Sequence, residues 1–141
     1  MEQHVPDHEG AALLAFARLH QDRGELDEAA ACYRRCLAIF RALATQRWVA
    51  MTHRRLAELQ LLMGEPGRAM AYLDKCIRMF REFHLRAEEG RSLENLGSAF
   101  AMRGDHVAAQ RAWQGAYAIF EELGRPEASL VRDRLTLTHS S

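Results

Sequence analysis

The residues best equipped for chemistry in this chain are arginines set beside carboxylates: Arg18, Arg54, Arg55 and Arg91 stand against Asp22, Glu58 and Glu94. A guanidinium presents a planar fork of donors that grips a carboxylate in bidentate fashion. Such a set is either a grip for an acidic partner or a solvated helix face held by its own salt bridges, and the residues alone leave both open. Cys32 and Cys36 share a helix face, but two sulfurs lack the remaining ligands of a zinc site. The three cysteines are an odd number and form no spaced framework of the kind found in small secreted domains, so they read as reduced and structural. His4 and His8 lie in a polar leader that reads as a flexible terminus. Catalysis needs a positioned nucleophile or acid/base pair, and the chain holds no Gly-rich phosphate loop, no His-Glu metalloprotease spacing and no nucleophile elbow. The expectation is a protein that is not an enzyme and needs no cofactor and no metal.

Composition narrows the partners. The chain has 141 residues, 48% of them apolar, and three prolines, enough for one domain with a real core. Nineteen basic and nineteen acidic residues cancel, which removes the positive footprint expected of a module that grips nucleic acid. No apolar run approaches the roughly 18 residues of a membrane span. The opening "MEQHVPDHEG" lacks the basic-then-apolar order of a secretory signal, so the expected compartment is the cytoplasm.

The elements that must position these side chains emerge when the chain is slid against itself by 40 residues. Gly104 then falls on Gly64 and Gly24, and Ala109 on Ala69 and Ala29. The pairs Ile39-Phe40, Met79-Phe80 and Ile119-Phe120 coincide, as do Leu43, Phe83 and Leu123. Before each glycine runs an amphipathic stretch, such as Leu93, Leu96, Gly97 and Phe100 at spacings of three and four, which is the signature of a helix, here A. After it comes a second, helix B, whose face carries Ala109, Trp113, Ala116, Ile119 and Phe120. The glycines suit the left-handed end of a helix, Pro66 the first position of the next, and Asp105 a cap. Small residues, Ala17, Ala57 and Gly97 on the A helices, are expected to meet Ala29, Ala69 and Ala109 on the B helices, with Tyr33, Leu73 and Trp113 filling the space beside them. Cys36 and Cys76 stand one repeat apart, where the third copy has Ala116.

Here the chain resembles the tetratricopeptide repeat family, whose Leu-Gly, aromatic, turn glycine, alanine and further small residue are carried by Leu96, Gly97, Phe100, Gly104, Ala109 and Ala116. The first two copies depart from the pattern, with His20 and Gln60 for Phe100 and Ala17 and Ala57 for Gly97. The resemblance implies an all-α fold, a right-handed α-solenoid of three stacked helical hairpins with a C-terminal capping helix. The expected layout is a flexible leader over 1–8, one domain over 9–137 and a tail over 138–141. Within the domain the hairpins span about 9–44, 46–84 and 86–123, and the cap about 126–137, with Val131 and Leu135 covering the last hairpin. The long period is similar to that of Leu-Gly-Asn-type scaffolds and of the C-terminal repeats of SARP-type and other NTPase-linked bacterial regulators.

The resemblance further implies that the A helices line a concave face for a peptide. Carried over by offset from each turn glycine, that groove would hold Leu14, Arg18, Met51, Arg54, Arg55, Glu58, Leu62, Arg91, Asn95, Ser98 and Met102. Its greasy floor and arginines suit an amphipathic segment with one or two acidic residues, Arg55 being the central anchor. The family's carboxylate clamp of lysines and asparagines is not reproduced, since Leu14 and Arg18 stand at two of its positions. Trp48 has no aromatic counterpart in the later copies, and reads as packing on the preceding B helix or as a binding hot spot. The functional expectation is a protein-interaction module, the sensor or regulatory domain of a bacterial transcription regulator, either a small partner protein or an excised piece of a longer one. The alternative is a self-associating scaffold, for instance a homodimer.

Overall fold

The structure, a computed structural model, describes residues 8–43 and 45–140. Among these residues all regular structure is helical: α1 (His8–Asp22), α2 (Leu26–Ala42), α3 (Gln46–Leu62), α4 (Pro66–Glu82), α5 (Arg86–Met102), α6 (His106–Glu122) and α7 (Glu127–Ser140). The A helices are α1, α3 and α5 and the B helices α2, α4 and α6, each A packed on the B that follows, with successive hairpins stacked and α7 on the end. Helix α1 takes in His8, and α7 runs to Ser140, reaching into stretches that sequence assigned to the leader and the tail. His4 lies outside the described residues.

The turns explain why each hairpin closes where it does. Gly24, Gly64 and Gly104 have φ of 77°, 76° and 81°, the left-handed region in which a side chain is strained. One residue later the amides of Glu25, Glu65 and Asp105 donate to the carbonyls of His20, Gln60 and Phe100, at 2.8, 2.8 and 2.9 Å. Each of these bonds satisfies a carbonyl left over by the helix end, so the bend costs little. Pro66 opens α4, and Asp105 Oδ1 accepts from the Ala108 amide at 3.2 Å. The joints between hairpins use the same device: Leu85 donates to Phe80 and Arg125 to Phe120, both at 2.9 Å, around His84 (φ 58°) and Gly124 (φ 66°). His84 is the one non-glycine in this conformation among the described residues.

Each hairpin is centred on a buried phenylalanine of its B helix, Phe40, Phe80 or Phe120. A Cβ at Gly10 would lie 2.7 Å from Phe40 Cε1 and one at Gly90 2.9 Å from Phe120 Cε1, so both glycines admit the ring edge. Ala50 holds the matching place in the middle hairpin and is fully buried. This second small-residue series, Gly10, Ala50 and Gly90, repeats at the same period and was the available signal in the sequence. Ala17, Ala57, Ala29, Ala69 and Ala109 are all fully buried, as expected of a close crossing. Gly97 corrects one detail: what lies against it is the Trp113 indole, whose Nε1 donates to the Glu94 carbonyl at 3.2 Å. The cap seats Val131, fully buried, with Leu135 beside it on the third hairpin.

Candidate functional site

The A helices bring together part of the residue set expected to form a groove. Glu58, Leu62, Asn95 and Ser98, with Gln21 and Leu61, line one recess of about 430 Å³ spanning α1, α3 and α5. Leu62 and Met102 are 60% and 49% exposed, so the inner face has an apolar rim. The Asn95 Oδ1 atom is buried without a hydrogen-bond partner, while Ser98 Oγ accepts from Arg134 Nη1 of α7 at 3.1 Å. Leu14 and Met51, also expected here, instead lean on the first and second hydrophobic clusters, because at those positions the A helix has turned toward its own hairpin.

Arg54 requires the larger correction. It is 6% exposed, buried between α3 and α5, and does not present its guanidinium to a ligand. Nη1 meets Glu58 at 2.7 Å and Nε lies 3.3 Å from Glu88 on α5. The pairing continues: Arg91 meets Glu88 at 2.8 Å and Glu127 of α7 at 3.0 Å, and Arg125 reaches Glu127 at 3.0 Å. A ladder of alternating charges thus crosses α3, α5 and α7. Glu88, Glu127 and Arg134 were not singled out from sequence; the signal was acidic residues in the first turns of α5 and α7.

Two of the arginines expected in the groove, Arg18 and Arg55, are not among the residues lining this recess. Arg18 is exposed and, among the described residues, makes no ion pair; Arg55 touches Glu58 only at 3.4 Å. Both act on the buried Tyr33 hydroxyl, which donates to Gln21 at 3.0 Å; its pKa is raised, chiefly by burial, against the opposing pull of these arginines. Farther along, burial pushes the Glu94 carboxyl above its ordinary range despite Arg134 at 3.4 Å, with Glu127 and Glu58 adding like charge. The A-helix side therefore carries unpaired or loosely paired arginine toward α1 and closed arginine-glutamate pairs toward α7. Arg134 also lies 5.8 Å above the Trp113 ring.

The other candidate residues all make packing contacts. Trp48 packs on Phe40 of α2, ring centroids 5.9 Å apart. All three thiols are free; Cys36 and Cys76 are buried, their pKa pushed up to about 11 by desolvation. Among the described residues no cluster of metal-ligating side chains occurs, and no helix is long and apolar enough to cross a membrane.

A stack of helical hairpins with a recess along its A helices defines a helical-repeat scaffold, the architecture of a protein-interaction module. The chain belongs to the tetratricopeptide repeat family, whose model matches residues 8–82. Over 129 residues it is 36% identical to the regulatory protein AfsR of Streptomyces griseus, covering 92% of this chain and 12% of that one. The chain thus spans about an eighth of that relative. Among solved structures it is similar to BtubC (BKLC) of P. vanneervenii, with TM-score 0.84, 21% identity, and coverage of 93% of this chain and 55% of that one. It is also similar to a putative kinesin light chain with TPR-like repeats from Podosopora anserina, with TM-score 0.80, 16% identity, and coverage of 96% and 68%. These structures share the fold.

Proposed function

We propose that this chain is a non-catalytic interaction module that holds an amphipathic peptide segment along its A helices, as the regulatory repeat domain of a bacterial transcription regulator. The observation carrying this reading is the recess across α1, α3 and α5, which holds the exposed Leu62 and the unpartnered Asn95 amide oxygen, on helices that also carry Arg18, with no ion pair among the described residues, and the loosely held Arg55. An acidic residue of the segment docks between Arg18 and Arg55, its apolar side chains cover Leu61 and Leu62, and a backbone amide donates to Asn95. The likeness to AfsR, named a regulatory protein, supports the regulatory role. The test is a partner isolated on the immobilised chain from the native host and titrated against variants. Arg55→Ala should weaken binding by about 2 kcal/mol, as a central arginine anchor does. Unchanged affinity in both Arg55→Ala and Arg18→Ala places the site elsewhere.

One observation favours self-association as the second reading. Phe16 and Leu19 on α1 are 54% and 43% exposed, although their counterparts one repeat on, Leu56 and Leu59, are fully buried against the preceding hairpin. A second copy covering that face would bury them. Sedimentation at rising concentration decides: a monomer throughout, unaltered by Leu19→Asp, rules this reading out.

A further inference from the structure

A different recess, of about 380 Å³, opens where the C-terminal turn of α2, the first half of α3 and the middle of α4 meet. Its polar lining is Arg41, Gln46, His53, Lys75 and Arg78, with no carboxylate among the residues that line it. Arg78 is held by Asp74 at 3.0 Å, on an exposed part of α4. Arg41 and Lys75 are exposed and, among the described residues, make no ion pair. His53 forms the inner wall: it is 2% exposed, its ring packs at 5.8 Å from Tyr72, and its buried Nδ1 has no hydrogen-bond partner. Cationic side chains from two helices converging without a counter-charge are costly unless an anion neutralises them.

We infer that this recess is an anion site that takes a phosphate group, gripped by Arg41 and Lys75, with Arg78 at the rim and the His53 imidazole behind. Two unpaired cations match the charge of a phosphate dianion better than that of a single carboxylate, and the Gln46 amide offers a neutral donor. The environment of His53 agrees: desolvation, then Arg41 and Lys75, lower its pKa to about 4, so it senses positive charge in the recess. The groups around it are Arg41 from α2 and Tyr72, Lys75 and Arg78 from α4.

The His53 imidazole resonances report on the site in the whole chain at neutral pH, with sodium phosphate replacing sodium chloride at constant ionic strength. Inorganic phosphate should produce a saturable shift, and Lys75→Gln and Arg41→Gln should each weaken it by about tenfold, as loss of one charged contact does. Arg68→Gln, an exposed change elsewhere on α4, should leave it intact. A peptide carrying one phosphoserine and no other charged side chain forms the second arm. Tighter binding of the peptide assigns the site to a protein-borne phosphate, and tighter binding of the inorganic ion to a free anion. No saturable shift with either probe, or one that all three variants share unchanged, overturns the inference.

Discussion

Gly97 lies against the indole of Trp113, and a Cβ on Gly97 would overlap the ring's Nε1 and Cδ1 atoms. In the other hairpins the same pair of positions reads Ala17 with Tyr33 and Ala57 with Leu73. The smallest residue on the A helix therefore accompanies the largest on the B helix.

Gly97→Ala should cost about 1 to 3 kcal/mol by overpacking, against the gain in helix propensity that alanine otherwise brings. On a Trp113→Leu background, which restores the pairing of the middle hairpin, the same change should be neutral or stabilising. Urea unfolding of the four proteins in the cycle checks this, and an equal cost of Gly97→Ala on both backgrounds refutes it.

Arg54→Ala should destabilise by about 2 to 3 kcal/mol, since it removes the charge facing the buried Glu88 Oε1 and leaves Arg91 on the other oxygen alone. Arg78→Ala, which breaks a pair exposed on both sides, should cost less than about 0.5 kcal/mol. Denaturant midpoints distinguish the two, and similar values would mean that the ladder is not buried in solution.

His53 gives stability an acid edge. Its folded pKa of about 4 lies below the ordinary 6.5, so the unfolded chain binds a proton that the fold refuses. Its contribution is complete above pH 6.5 and is lost as pH falls toward 4, by up to about 3 kcal/mol. His53→Gln, which cannot titrate, should flatten that part of the stability-pH curve, and a curve of unchanged slope would show that other groups dominate.

Cys36 and Cys76 should resist alkylation at neutral pH, because a thiol with pKa near 11 is scarcely ionised and both sulfurs are buried. Cys32, half-buried, should react first. Mass spectrometry of timed iodoacetamide labelling checks the order, and early modification of Cys76 would show that the middle hairpin opens.

The fold was legible because the backbone demands leave a record in residue type. A left-handed turn selects Gly24, Gly64 and Gly104, and a ring pressed on a helix selects Gly90. His84 escaped notice because it fills a glycine-type position with another residue, although its register with Gly124 points to it. The inner face was less legible. Arg54 occupies a position that faces inward on a lone helix, but a carboxylate 34 residues farther on, Glu88, folds over it. Such a pairing depends on how two helices come to lie together, which the periodicity of either one does not encode.

The charge ladder also has a mechanical meaning. It stitches α3, α5 and α7 like a tendon, while a second set, Arg81 to Glu89 and Arg86 to Glu122, ties α4, α5 and α6. Screening by salt slackens its more exposed rungs. The stack should then loosen between hairpins that stay intact, and the radius of gyration from X-ray scattering should grow with ionic strength while the helical signal stays constant. The spacing of whatever binds along the A helices is thereby set by the ionic medium as well as by the fold.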